Sequence, residues 1–447
     1  MFARHTIRIP IHLLGILCLS ISIHTYGNGE TLLDIYALAK QNDHQFKSDY
    51  AKYQAAIEVA AIKRSALLPQ INGTGTVSHT HHDISGSLPE ETNNNANSYG
   101  ISISQSILNI SAGYADKQGK VEKRIAAINY QASQQALIIR SAKAYFDVLR
   151  AKDQLQTANA EKKAQATLLK QTRQRYEVGL ISINNVHETQ AAYDNAVANA
   201  INATAKLDIQ YDSLTILTGK LHTKIIPLKD NFNAEPPIHN QQQTWVDVSI
   251  KNNYALRASE LTAESARISA KAASSKHLPT IDSTATYKDQ SIDAEGGSNT
   301  VTDSKTTEFS LNLKIPLYAG GKVSAEKRQA AQKAIKAKED FLLTYRKTVQ
   351  NVRSLYRSVT TDIAQIKARK QAIISNESAL KATKAGYDAG TRDIVDIVNA
   401  QSKLFQAQRN YFDTLYNYII NTLLLKEAAG NLQLSDLEHL EKSLDKK

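Results

Sequence analysis

The chain has 447 residues and a formal net charge of +11, with one Trp, eight Phe and one Cys. So few large apolar side chains cannot furnish the two or three globular cores that this length would suggest, so long helices in shallow contact are expected instead. A lone cysteine leaves no disulfide framework or thiolate metal site, and Lys and Arg interleaved with Asp and Glu read as a solvated helix surface, so no nucleic-acid partner is expected.

Residues 1–27 carry Arg4 and Arg8, then an apolar run from Leu13 to Ile23, then small or polar residues up to Gly27. This is the outline of a secretory signal peptide. Cys18 falls inside it and follows Leu17, which disfavours lipid attachment; the mature chain would lack cysteine, as suits an oxidising envelope compartment. No later segment reaches the ~18 to 20 consecutive apolar residues that a spanning helix needs. A helix then leads to LLPQI, where Pro69 marks the change to strand, because the residue before proline resists the helical region. The first strand pair is expected at about 69–110. In YGISISQSI, Ile101, Ile103 and Ile107 alternate with Ser102, Ser104 and Ser106, the period-two pattern of a two-faced strand. The polar residues 83–97 and, later in the chain, 291–305 read as exposed hairpin ends.

From about Ala112 to Val178 there is no proline, and the pattern is that of one long helix. It reaches a glycine-containing tip at about 176–184, RYEVGLISI, and turns back into a shorter helix ending near Gly219. Residues 227–243, with Pro227, Pro236 and Pro237, read as a linker or small irregular subdomain. Everything then recurs. Leu68 and Pro69 return as Leu278 and Pro279, a second strand pair is expected at about 279–318, and Tyr176 with Gly179 returns as Tyr387 with Gly390 in a tip at about 387–393. The closing Gly219 returns as Gly430. In FSLNLKIPL, Phe309, Leu311, Leu313, Ile315 and Leu317 alternate with Ser310, Asn312 and Lys314, and Pro316 belongs at the sheet's exit. The second long helix, from Lys322 to Tyr387, carries a heptad seam of Val349, Val352, Tyr356, Val359, Ile363 and Ile366. Its basic start, from Gly321, is suited to anionic lipid or a partner. The expected division is a signal at 1–27, repeats at 28–230 and 231–430, and a charged, peripheral tail at 431–447.

Strands with one apolar and one Ser/Asn/Thr/Lys face match an outer-membrane barrel wall, with Tyr99, Tyr287 and Phe309 near the loop end and Tyr318 near the other as interfacial aromatics. Four strands cannot close a barrel, so several chains must share one. The same alternation also fits a soluble four-stranded sandwich, and the helices alone would fit a soluble periplasmic coiled-coil scaffold.

The order of LLPQI strand pair, long helix, RYEVG tip and return helix, repeated with LKIPLYAGG and GYDAGTRDIVDI, resembles the TolC family of outer-membrane channel proteins over about residues 30–434. The resemblance implies an α+β membrane protein: a homotrimer in which four strands per chain make a 12-stranded β-barrel, continued by an α-helical coiled-coil barrel through the periplasm. It further implies a passive duct for tripartite efflux or type I secretion, with a periplasmic adaptor and an inner-membrane efflux pump or ABC transporter as partners. By the same resemblance, Tyr387, Arg392 and Asp396 close the periplasmic mouth. Three copies of Asp396 would form a carboxylate ring able to attract cations. Asn399 stands where the family has a second acidic residue, Asn185, after Asn184, where it has an aspartate, and Lys384 where it has a glutamate. An amide accepts a hydrogen bond but carries no charge, so a looser mouth with weaker cation preference is expected. The adaptor-docking tips map to Val178, Gly179, Leu180, Ser182, Ala389, Gly390 and Thr391. His79, His81 and His82 invite a metal reading, but no carboxylate cluster or cysteine supports it. No cofactor and no catalytic constellation is expected.

Overall fold

The computed structural model describes residues 29–84, 90–295 and 300–445. The expected signal peptide, with Cys18, lies outside them. In chain order the elements are α1 (Leu32–Asn42), α2 (His44–Ser65), β1 (Gln70–Ile84), β2 (Glu90–Leu108), α3 (Ile110–Glu177), α4 (Ile183–Thr218), α5 (Gln242–Asn252), α6 (Tyr254–Ser274), β3 (Thr280–Glu295), β4 (Thr300–Lys314), α7 (Lys322–Asp388), α8 (Ile394–Ala428) and α9 (Leu434–Glu441). Pro69 and Pro279 each stand immediately before a strand, and Pro316 just after one.

The four strands form one antiparallel sheet in the order β1-β2-β3-β4, so β2 and β3 join the two hairpins while β1 and β4 are free edges. Pairing register sorts the side chains. One face carries rows such as Ile71–Ile103–Ala285–Phe309 and Gly73–Ile101–Tyr287–Thr307; the other carries Gln70–Ser104–Thr284–Ser310 and Asn72–Ser102–Thr286–Glu308. From the Leu313 row to the row where Lys305 pairs with Asp289 at 3.7 Å, the apolar face runs about 27 Å along the strand. Phe309 lies in the middle of this band rather than at its loop end, whereas Tyr99 and Tyr287 lie near its upper margin. Ile107 sits at a register shift between Ser106 and Leu108, a bulge at the sheet base where the chain swings into α3.

The segments 83–97 and 291–305, expected as loops, are mostly strand. β1 runs to Ile84, β2 starts at Glu90, and β3 and β4 extend to Glu295 and from Thr300. Ladder hydrogen bonds pair backbone groups whatever the side chains, so polar residues on both faces extend the hairpins beyond the apolar band. His79 and His81 lie in this extension, each facing a cross-strand asparagine, Asn95 at 2.7 Å and Asn93 at 2.8 Å. Among the described residues no cluster capable of holding a metal occurs.

α3 and α7, at 68 and 67 residues, are each about 100 Å long. Toward the sheet, α2, α3, α6 and α7 stand side by side; toward the tips the row is α4, α3, α8, α7. Neither row closes on itself, so α7 is one flank of the protomer, and α2 and α4 are the other. Burial reflects this: Val352 and Val359 alone are buried along α7, whereas α3 buries residues from Gly119 to Thr172. Ile335, Leu343 and Ile374 of α7 and Ile201, Ile209 and Ile216 of α4 stay exposed.

The main core forms a belt at mid-height. Tyr145, Phe146, Leu149, Trp245, Val352, Val359, Tyr416 and Ile419 pack there with Leu32 and Ile35 of α1. The heptad seam of α7 is the part of that helix that joins this core, with Val349, Tyr356, Ile363 and Ile366 packed around the two buried valines. Residues 221–241 are irregular but held: Tyr145 Oη donates to the Ile226 carbonyl at 2.6 Å, and Leu228 bridges to Leu444. Glu30 receives Lys220 at 3.0 Å and pairs with buried His222, which fixes the segment that leads into α1. The tail, expected to be peripheral, turns inward: Leu432, Leu437 and Leu444 are buried in the main core. Its charged residues obscured a leucine spacing that gives α9 one apolar face.

Burial in this belt raises the Asp153 carboxyl above its ordinary value, opposed by the hydrogen bond from Tyr416 Oη at 2.6 Å; burial raises Asp362 and Glu427 as well. A carboxyl raised in the folded state keeps its proton where the unfolded chain has lost it, so stability falls as pH climbs from the ordinary carboxylate range through the raised value. Asp153→Asn keeps an acceptor for Tyr416 without the charge. The variant is expected to match wild type at about pH 4 and to be slightly more stable at about pH 7, read as the temperature at which helical circular dichroism is lost.

Candidate functional site

The end of the molecule opposite the sheet is built by two helix-turn-helix tips of one design. At the first, Leu180 N–H donates to the Arg175 carbonyl at 2.9 Å and Gly179 N–H to Tyr176 at 2.8 Å; at the second, Thr391 donates to Gly386 at 2.9 Å and Gly390 to Tyr387 at 3.0 Å. This double bond pattern caps a helix through a left-handed residue, and Gly179 and Gly390 have φ of 77° and 76°. Ser182 then caps α4, its Oγ accepting from Asn184 N–H at 3.3 Å, and Asp393 caps α8. Val178 and Leu180 are exposed apolar residues at the extreme end, beside exposed Ala389, Gly390 and Thr391.

The residues expected at the mouth fall into two groups. Arg392 and Asp396 meet at 3.8 Å, and Asp396 Oδ2 also accepts from Asp393 N–H at 3.2 Å, so this carboxylate completes the capping box of α8. Asn399 is exposed one turn further along the same helix. Tyr387 instead packs inward against Leu168, Ile394 and Ile397, with its hydroxyl buried and unpartnered. Among the described residues no hydrogen bond joins Asn184 or Asn185 to Tyr387 or Arg392.

What joins the two tips is a pair that sequence reading missed. Arg175, at the end of α3, donates to Asp388 Oδ1 at 3.0 Å and lies 4.8 Å from the centre of the Tyr387 ring. The signal lay in the repeat itself: RY in the first tip and YD in the second put opposite charges on either side of equivalent tyrosines. Higher up, the contact between α3 and α8 is also polar, with Arg409 on Glu161 at 2.7 Å and Gln154 on Asp413 at 2.8 Å. The contact of α3 with α4, inside the first repeat, rests on Leu155, Ala158, Ala200 and Ala203. Charged and amide pairs thus bridge the two repeats alongside apolar contacts such as Leu168 with Ile394 and Ile397.

The protein-family model described as "Outer membrane efflux protein" matches residues 35–220 and again 245–431. The chain is 36% identical to the outer membrane protein TolC of Vibrio cholerae, over 91% of this chain and 92% of that one. It is 26% identical to the alkaline protease secretion protein AprF of Pseudomonas aeruginosa, over 91% and 86%. The crystal structure of the Campylobacter jejuni CmeC outer membrane channel superposes with a TM-score of 0.77 at 16% identity, covering 99% of this chain and 98% of that chain. Two family units in succession, each folded as a strand hairpin and a long coiled coil, identify this chain as a member of the outer membrane efflux protein family.

Proposed function

We propose that the chain is the outer-membrane duct of an efflux or type I secretion machine, working as a homotrimer. The single observation that carries this is a four-stranded sheet, apolar on one face and polar on the other, with both edges unpaired and continuous with helices about 100 Å long. Open edges are not tolerated in lipid, so β4 of one chain must pair with β1 of the next, and the exposed flanks of α7 and α2/α4 meet in the same joint. Three chains close a 12-stranded barrel whose polar face lines an aqueous lumen. The chain holds no energy-converting site in this reading; a periplasmic adaptor docks at Val178, Gly179, Leu180, Ser182, Ala389, Gly390 and Thr391, and an inner-membrane efflux pump or ABC transporter drives export. AprF, by its name a protease secretion protein, supports protein cargo, and CmeC supports a channel.

Tyr387, Arg392 and Asp396, with Asn399, Asn184 and Asn185, form the periplasmic gate. Its test uses Asp396→Asn, which preserves an acceptor for the α8 cap while removing three charges from the ring. In a planar bilayer, Mg2+ added from the tip side is expected to block wild type, and the variant is expected to need about tenfold more for half-block. Equal block in both proteins would remove Asp396 from the mouth, and no conductance from a folded trimer in either would overturn the duct.

A further inference from the structure

Between the ends of α3 and α7 and the start of α8 lies a cavity of about 600 Å³, lined by Gln171, Gln174, Arg175, Lys384, Tyr387 and Asp388 above a floor of Leu168, Ile394 and Ile397. Its polar groups are mostly donors without acceptors. Lys384 has no ion pair or hydrogen bond among the described residues, and neither side-chain amide of Gln171 and Gln174 is engaged. The Arg175 guanidinium uses one nitrogen on Asp388 and has no other protein acceptor. One carboxylate faces two cations, so the lining carries an uncompensated positive charge.

We propose that this cavity is a binding site for an oxyanion, a carboxylate or phosphate group, held between Lys384 and Arg175 with the glutamine amides as further donors. Charge-assisted hydrogen bonds from a guanidinium and an ammonium favour this ligand class, and the volume suits a molecule of citrate size. The site spans the two repeats, since Gln171, Gln174 and Arg175 belong to α3 while Lys384 and Tyr387 belong to α7. A bound anion therefore ties the two coiled coils together at their tips and favours the arrangement in which Arg175 meets Asp388. The binding claim stands on the cavity alone; its effect on opening rests on the reading of the tips as the mouth.

The test is isothermal titration of the detergent-solubilised full chain with citrate and, separately, with inorganic phosphate, in divalent-free buffer. Saturable binding is expected, weakened about tenfold or more by Lys384→Gln and unchanged by Lys381→Gln, one turn away and outside the cavity. Tighter binding of citrate identifies the ligand as a carboxylate, and tighter binding of phosphate identifies it as a phosphate. Absence of saturable binding, or equal binding by Lys384→Gln, would overturn the site whether or not the protein conducts. In the bilayer, citrate from the tip side is expected to lower the open probability of wild type and not of Lys384→Gln. Binding with unaltered conductance would overturn the coupling to opening alone.

Discussion

Ile103→Arg is expected to keep the protein out of the outer membrane, whereas Ser102→Arg, its immediate neighbour, is expected to insert and form channels. Ile103 lies on β2, an inner strand, in the row Ile71–Ile103–Ala285–Phe309 at the middle of the apolar face; Ser102 lies in the polar row Asn72–Ser102–Thr286–Glu308. An arginine on the lipid face of a barrel near the bilayer centre costs about 2–4 kcal/mol, and a closed trimer carries it three times, for a total of about 6–12 kcal/mol. The same arginine facing the lumen is hydrated and alters ion selectivity instead. Membrane fractionation followed by single-channel recording reads both effects. Were Ile103→Arg to insert as well as wild type, the apolar face would not be the lipid face, because a solvated sheet tolerates that substitution at either position.

The second large effect is expected at Gly430, and its repeat-mate Gly219 supplies the control. Both end a return helix with positive φ, 74° and 70°. A left-handed backbone alone costs a non-glycine residue roughly 1–2 kcal/mol. At Gly219 an added Cβ would meet Asn42 Cβ at an ordinary 3.5 Å, so Gly219→Ala is expected to cost about that much. At Gly430 the same atom would lie 2.3 Å from the Asn252 carbonyl oxygen and 2.8 Å from Asn253 N, backbone atoms at the joint of α5 and α6 that cannot rotate away. That clash sits beside buried Ala429 and Leu432, where overpacking adds about 1–3 kcal/mol. Gly430→Ala is therefore expected to lose about 3 kcal/mol or more, seen as a marked fall in heat resistance and in the yield of folded protein. Equal losses at both positions would show that backbone conformation, and not the approach of the α5–α6 joint, requires the second glycine.

The contrast between these glycines shows how far the sequence can be read. The duplication, long helices, strand faces and tip turns are legible because each follows from a local rule: period two, period three-to-four, a proline before a strand, a glycine after a helix. A local rule gives the two repeats the same answer, so it cannot show that Gly430 is crowded and Gly219 is not. The burial of Leu437 and Leu444 was hidden for a related reason, since whether an amphipathic tail docks depends on what lies beside it. At the tips, Arg392 and Asp396 lie i,i+4 and are close as spacing requires, and Tyr387 is found on the inward side of α7. The charges of Arg175 and Asp388 beside equivalent tyrosines are legible, but the two belong to different repeats, and their meeting depends on how the ends of α3 and α7 come together around the start of α8. The extended hairpins were misjudged because polar composition resembles a loop, while strand pairing depends only on the neighbouring backbone.

The two free edges of the sheet have a consequence for heredity. In a closed ring β4 meets β1 of another copy, although within one protomer the two strands lie at opposite sides of the sheet and never touch. A change on one edge must then be answered by a change on the other, encoded in the same gene and expressed in every subunit at once. Related sequences should accordingly carry correlated substitutions between residues 70–84 and 300–314. A contact map of the single chain would class those correlations as errors, although they record the surface where one molecule ends and the next begins.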